Sequence, residues 1–188
     1  MIVTIIAWIS FYFLHSCLID DRFKDVIFRR FPGIRSSYRL IYNTISLLTF
    51  GLAWLVQRVY SEHLSLFEHN ILQFAGVFLF MAGIIVIYLA FRKYDTREFI
   101  GLRASNDQEL ITTGLNSWVR HPIYFATLLV ILGYFLYRPD QGSLIFCTVS
   151  TIYLFVGARL EERKLIKHFG YAYINYRKRV RMIIPFII

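Results

Sequence analysis

The segment RHPIY at 120–124 sets Arg120 and His121 directly against a proline, at the mouth of a long apolar run. Ionisable side chains at the edge of such a run are costly unless something uses them. Pro122 loses no hydrogen bond in the first turn of a helix, so it marks where that helix begins and holds both side chains beside its N-terminus. Free backbone N–H groups and two donor side chains suit an anion such as a carboxylate or phosphate. The competing reading is a capped helix start with Arg120 snorkelling to lipid headgroups, and RHPIY taken alone leaves both open.

A second stretch, ARLEERKLIKHFG at 158–170, places Glu161 and Glu162 in a basic segment just past another apolar run. No proline stands between Leu160 and Pro185, and the pattern is helical. At about 100° per residue, Arg159, Glu162, Ile166, Phe169, Tyr173 and Tyr176 fall on one stripe, provided the helix continues through Gly170. Glu162 then faces a cationic group of a ligand while Arg159 orients it. Local pairing of Glu161 with Lys164 and of Arg159 with Glu162, at i,i+3, is the alternative and is worth only some tenths of a kcal/mol.

The elements that must position these residues are membrane helices. The chain has 188 residues, 57% of them hydrophobic and 18% aromatic, and the stretches 2–19, 40–57, 71–91, 121–137 and 141–158 each lack Asp, Glu, Lys and Arg. A spanning helix needs about 20 largely apolar residues, so the expected fold is an all-α polytopic membrane protein with five transmembrane helices, the fourth and fifth among the shorter ones, and a cytoplasmic C-terminal helix. Nothing basic precedes Arg22, and HSC at 15–17 is a poor processing site, so 2–19 is expected to remain as the first helix rather than leave as a signal peptide. Cys17 and Cys147 lie in different apolar runs without metal-ligand spacing and read as two buried thiols.

The net charge of +9 is distributed by topology. Arg22, Lys24, Arg29, Arg30, Arg35 and Arg39 lie between the first two spans, and Arg92, Lys93, Arg97, Arg103 and Arg120 between the third and fourth, whereas the other two loops carry only Arg58 and Arg138. The positive-inside rule puts the N-terminus outside and the basic loops and tail in the cytoplasm, which accounts for the basicity without nucleic acid. No repeat or linker divides the chain, so 1–188 reads as one domain, with three N-terminal spans in 1–92 and a functional half in 93–188. FPG at 31–33 marks a turn before the second span, and the polar segment 94–118 reads as a cytoplasmic loop with one short interfacial helix. Gly76 and Gly83 in the third span read as close-packing positions.

Taken together, VRHPIY at 119–124, the hydrophobic hairpin after it, RLEERKLIKHFGYAYINYRKRV at 159–180 and IIPF at 183–186 resemble the integral-membrane methyltransferases related to isoprenylcysteine carboxyl methyltransferase. That family's pattern is Arg-His-Pro-x-Tyr, then Glu-Glu-x-x-Leu, Phe-Gly-x-x-Tyr-x-x-Tyr and a basic-Val tail ending near Ile-Pro. It is matched by Arg120, His121, Pro122 and Tyr124, then Glu161, Glu162, Leu165, Phe169, Gly170, Tyr173, Tyr176, Val180 and Pro185. FLHSCL at 13–18 and YRLIYN at 38–43 resemble the small bacterial branch with NnrU-like proteins and methanethiol methyltransferases. Asn116 and Arg181 depart from the pattern, standing where the family often has an aromatic residue and a proline.

The resemblance implies S-adenosyl-L-methionine as cofactor and a small or lipid-like apolar acceptor, a thiol or a carboxylate, taken from the membrane. It assigns the cofactor carboxylate to Arg120 and His121, the ammonium or ribose hydroxyls to Glu162, orientation to Arg159, and the adenine surroundings to Tyr124, Phe169, Tyr173 or Tyr176. His121 becomes the candidate catalytic base for a thiol acceptor, whereas a carboxylate acceptor needs none. Two rival readings stand beside this one: an NADPH-dependent membrane reductase of the sterol type, with a similar Arg-His-Pro-x-Tyr segment, and a noncatalytic NnrU-like membrane partner or transport accessory.

Overall fold

The charge-free stretches become helices, and the computed structural model describes them in residues 1–61, 65–67, 70–92 and 110–185. Helix α1 (Ile2–Ile19) coincides with the expected first span. After α2 (Asp21–Arg30) and a short 3-10 turn at Pro32–Ile34 come α3 (Tyr38–Tyr60) and α4 (Asn70–Phe91). A 3-10 turn at Gly114–Ser117 leads to α5 (Pro122–Tyr137), α6 (Gln141–Phe169) and α7 (Tyr171–Arg179). Most of the polar loop expected over 94–118 lies outside the described residues. Among the described residues the β-structure is limited to isolated bridges, Ser65 with Asp140 and Val119 with Arg181.

Four of these helices, α1, α3, α4 and α6, are long and apolar enough to cross a bilayer, and α5 is a shorter apolar helix of 16 residues. Their exposed faces carry Ile6, Phe13, Leu48, Leu52, Phe74, Phe78 and Ile85, large apolar groups that lipid can cover. Helix α5 runs antiparallel to α4 at backbone contact. A Cβ on Gly133 would lie 2.5 Å from the Phe80 amide nitrogen and 2.6 Å from the Gly76 carbonyl oxygen, and one on Gly83 would lie 2.8 Å from the Ala126 carbonyl oxygen. Small residues let two helices approach this closely where no hydrophobic effect drives them together, which also explains why Gly76 and Gly83 interrupt an otherwise bulky span.

Helices α1 and α3 are joined by an aromatic cluster and by polar clamps. Trp8, wholly buried, donates its indole N–H to Gln57 at 2.8 Å, and Thr4 and Ser61 bond at 3.0 Å. Phe50 and Phe146 meet the Trp8 ring, the latter with ring centres 4.5 Å apart, and Trp54 and Tyr134 pack on Phe146. At this end of the bundle Asp140 caps α6 by a reciprocal pair of bonds with Ser143. Leu66 donates its backbone N–H to Pro139, tying the segment after α3 to the same corner.

The opposite end carries the basic segments. Asp20 caps α2 by accepting from the backbone N–H groups of Arg22 and Phe23, and Asp21 pairs with Lys164 of α6 at 3.2 Å. The first basic loop and the Glu161–Glu162 segment therefore share one end of the bundle. Helix α6, with 29 residues about 43 Å long, overruns its apolar part and carries that segment out beyond the spans.

Because the Gly133 cradle is backbone, it has little room to give. Gly133→Ala should cost about 1–3 kcal/mol of overpacking and lower the thermal midpoint of the detergent-solubilised protein. Gly51→Ala, whose added methyl meets nothing within 4 Å, should not lower it. Equal midpoints would mean that α4 and α5 are not in backbone contact.

Candidate active site

Two backbone devices build the site. His121 caps α5 with Pro122 in the first turn, and the strand-like residues before it pair with the C-terminal segment: Arg120 N–H bonds the Arg181 carbonyl at 2.8 Å, and His121 N–H bonds the Met182 carbonyl at 3.0 Å. The second device is Gly170, whose φ of +56° a glycine adopts without steric cost. It ends α6 and turns the chain into α7, so the stripe expected through this position does not continue as one helix.

Helix α7 nevertheless returns its tyrosines to Glu162. Tyr173 and Tyr176 are almost wholly buried; Tyr173 donates to Glu162 at 3.4 Å, and Tyr176 donates to the Asn116 carbonyl at 2.5 Å. Asn116 in turn donates through its side chain to the Arg120 carbonyl at 3.4 Å. Burial raises the Tyr173 phenol well above its ordinary value, with the Glu162 charge adding to the shift, so it is a fixed proton donor.

Arg120 is the hub. Its Nε donates to Glu162 Oε1 at 2.6 Å, Nη2 pairs with the same oxygen, and Nη1 donates to the carbonyls of Arg177 and Val180. Both side chains of the pair are 7% exposed. The partner that Glu162 finds is therefore Arg120 in the segment that leads into α5, not Arg159 one turn back, and Lys164 pairs with Asp21, not Glu161. Arg177 Nε also lies 3.5 Å from the other oxygen of Glu162.

His121 sits behind this pair, its side chain 4% exposed, with Nδ1 3.6 Å from Glu161 and Nε2 3.7 Å from Glu162. Neither distance is a hydrogen bond, and Nε2 is a buried polar atom with no partner among the described residues. Burial lowers its pKa below the ordinary value, more than the two glutamates raise it, so the imidazole is neutral at pH 7. Tyr124, one turn into α5, meets the His121 ring edge to face at 5.3 Å and interacts with the Glu161 carboxylate.

Between α6 and α7 the fold leaves a cleft of about 600 Å³, lined by Arg120, Arg159, Glu162, Arg163, Ile166 and the 177–182 segment. The volume is that of a small-molecule site. Of the residues singled out by sequence, Arg120, Arg159 and Glu162 line it. Tyr173 and Tyr176 lie buried beside it, His121 and Tyr124 stand behind it, and Phe169 meets His168 edge to face at the end of α6. Arg163 and Arg177 were not singled out, although the density of cations around LEE is a signal that could have found them.

Glu162→Gln leaves the buried Arg120 guanidinium without a counter-charge and should cost about 3–5 kcal/mol of stability. Glu161→Gln, on a side chain 44% exposed, should change it by less than about 0.5 kcal/mol. Thermal unfolding of the two variants checks the difference.

The unfolded chain protonates His121 near its ordinary value of 6.5, while the folded chain resists. The unfolded state thus binds more protons as pH falls, and stability is lost below about pH 6.5 down to the depressed folded value, and is fully present above it. His121→Gln should flatten that part of a midpoint-against-pH curve relative to wild type; superimposable slopes would mean that His121 titrates normally.

A family model described as phospholipid methyltransferase matches residues 71–172, from α4 through the Gly170 turn. Methanethiol S-methyltransferase 1 of Bradyrhizobium diazoefficiens is 30% identical over 98% of this chain and 67% of its own length. Methanethiol S-methyltransferase of Pseudomonas deceptionensis is 42% identical over 36% of this chain and 25% of its own. Protein-S-isoprenylcysteine O-methyltransferase of Saccharomyces cerevisiae is 34% identical over 45% of this chain and 36% of its own. The chain thus spans two thirds of the first relative's length and about a third or less of the other two. No solved structure gives a significant match. With the motifs at 119–124 and 159–180 inside one helical membrane scaffold, the chain belongs to the phospholipid methyltransferase family.

Proposed function

We propose that this membrane methyltransferase takes its methyl group from S-adenosyl-L-methionine, held in the cleft between α6 and α7, and delivers it to a small or lipid-like thiol. The observation that carries the reading is the cleft itself: a small-molecule volume at the end of the spans, with cations around one buried carboxylate, built from the residues of both family motifs. The methanethiol methyltransferases among the relatives support the thiol. The family match favours methyl transfer over the reductase and the noncatalytic partner.

The residues fit the cofactor's chemistry. Its carboxylate suits Arg159 and Arg163, which line the cleft, while Arg120, with its guanidinium engaged by Glu162 and two carbonyls, fixes the floor. Glu162 Oε2 is the acceptor for the ammonium or a ribose hydroxyl. Ile166 and Met182 supply apolar wall, and Tyr173 and Tyr176 hold that wall in place rather than stack openly. When bound, S-adenosyl-L-methionine supplies an activated methyl group on a sulfonium whose leaving group is a neutral thioether, so what the chain adds is position and exclusion of water. His121, neutral and with an unpartnered Nε2, is the group of the right type to accept a proton from a thiol.

The same end of the bundle holds the cleft and both basic segments flanking α2 and α7, and the positive-inside rule puts that end in the cytoplasm with the N-terminus outside. The cofactor is a cytoplasmic metabolite, so cleft and supply share one compartment.

Calorimetric titration of the purified protein tests the donor. S-adenosyl-L-methionine should bind, and the Arg159→Ala, Arg163→Ala double variant should bind it roughly ten- to a hundredfold more weakly, the size of a lost charged hydrogen bond. Binding of NADPH without S-adenosyl-L-methionine would replace this reading with the reductase one, and binding of neither would favour the noncatalytic partner.

A further inference from the structure

The cleft carries more positive charge than its proposed occupant can answer. Seven of its lining side chains are Arg or Lys, against the single carboxylate of Glu162, which Arg120 already neutralises. S-adenosyl-L-methionine sets one carboxylate against an ammonium and a sulfonium, so it brings no net negative charge. Arg177 approaches Glu162, but Arg159, Arg163, Lys178, Arg179 and Arg181 meet no carboxylate among the described residues. Fixed cations gathered on one wall repel each other and draw anions to it.

A second cavity, of about 380 Å³, lies against that wall. It is lined by Ser117, Trp118, Arg179, Val180 and Arg181, and shares the last three with the cleft. Backbone bonds fix its shape: Val119 bridges to Arg181, and the N–H groups of Arg120 and His121 bond the carbonyls of Arg181 and Met182. This pairing holds the C-terminal segment beside the turn that leads into α5, with Met182 and Ile183 buried and Arg181 exposed. The helix dipole favours a cation in the last turn of α7, where Arg179 stands. It does not account for Arg181, which lies beyond that helix.

Trp118 points to the source of the anion. It is 66% exposed and stands four residues before Pro122, where the apolar helix α5 begins. The cavity therefore opens at the level where the span meets water. An indole is favoured there, its ring against acyl chains and its N–H among headgroups. The guanidinium forks of Arg179 and Arg181 match phosphate oxygens. A soluble anion would use the arginines and leave the indole in water, whereas a phospholipid uses both.

We propose that Trp118, Arg179 and Arg181 form a site for the phosphate of an anionic phospholipid from the surrounding leaflet, bound as a ligand and not methylated. Its charge sits on the wall shared with the cleft, where it offsets part of the excess that a cationic methyl donor meets. The lipid site itself does not depend on which cofactor the cleft holds.

The test is native mass spectrometry of the intact protein released from detergent in the presence of equimolar phosphatidylglycerol and phosphatidylcholine with identical acyl chains. Wild type should retain phosphatidylglycerol about tenfold in preference, the scale that two arginines at an anionic surface supply. Arg179→Gln with Arg181→Gln should bring the ratio close to one. Arg29→Gln with Arg30→Gln removes the same charge from exposed positions of α2 at the same end of the bundle and should leave the ratio unchanged. Inorganic phosphate in large excess should not displace the lipid. Equal retention of the two lipids by wild type, a comparison that needs no variant to fold, would overturn the site, as would an equal loss in both double variants, which would mean diffuse surface charge only. Displacement by inorganic phosphate would assign the cavity to a soluble anion and overturn the lipid.

Discussion

One buried ion pair organises the functional half of the molecule. Arg120 and Glu162 stand 42 residues apart in sequence, yet each is 7% exposed and the two share an oxygen. Removing two such charges from water costs several kcal/mol per ion, recovered only when geometry and additional hydrogen bonds are good. The additional bonds are what shape the region: the Arg177 and Val180 carbonyls, the Tyr173 hydroxyl and the Arg177 guanidinium all come from the segment after Gly170. Satisfying the pair therefore requires α7 to fold back against α5 and α6, and the fold-back leaves the cleft.

The pair must itself be held at a fixed depth, and that is the role of the spans. Backbone contact between α4 and α5 leaves α5 no freedom to slide, because Gly76, Gly83 and Gly133 each face carbonyl or amide atoms of the other helix. At the far end the Asp140 cap and the aromatic cluster around Trp8 fix the start of α6. With both ends set, the last turns of α6 bring Glu162 to Arg120, while Glu161 on the next position points toward His121 and Tyr124. Adjacent carboxylates on one helix lie about 100° apart around the axis, so one serves the cleft and the other the His121 and Tyr124 side.

How much of this was legible depended on the range of the interaction that carries it. Helix α1 matched the charge-free stretch 2–19 to the residue, and α3, α4 and α5 agreed with theirs within three positions, because desolvation in a bilayer penalises every charge individually. Helix α6 starts with the stretch 141–158 and runs on eleven residues past it. Helix α2 was missed, although Asp20 before an alternation of Phe23, Ile27 and Arg30 is a local capping signal; the FPG turn beyond it drew the reading toward a loop. The motif residues Arg120, Glu162, Tyr173 and Tyr176 were all picked out, but their partners were not. Reasoning along one helix offers only neighbours three and four residues away, so Glu162 was given Arg159 and the stripe was carried through Gly170. The actual pairings join segments far apart in sequence, and His15 with Tyr42 is of the same kind.

The central claim is that the Arg120–Glu162 pair holds residues 171–183 down as part of the site rather than as a loose tail. Hydrogen exchange read by mass spectrometry on the intact protein in detergent measures this directly, through the amides of Arg120 and His121 and those of α7. The account expects these two distant segments to exchange slowly and together, with one opening rate, and to slow further in step when S-adenosyl-L-methionine is added. Rapid exchange across 171–183 while the amides of Arg120 and His121 remain protected would contradict it.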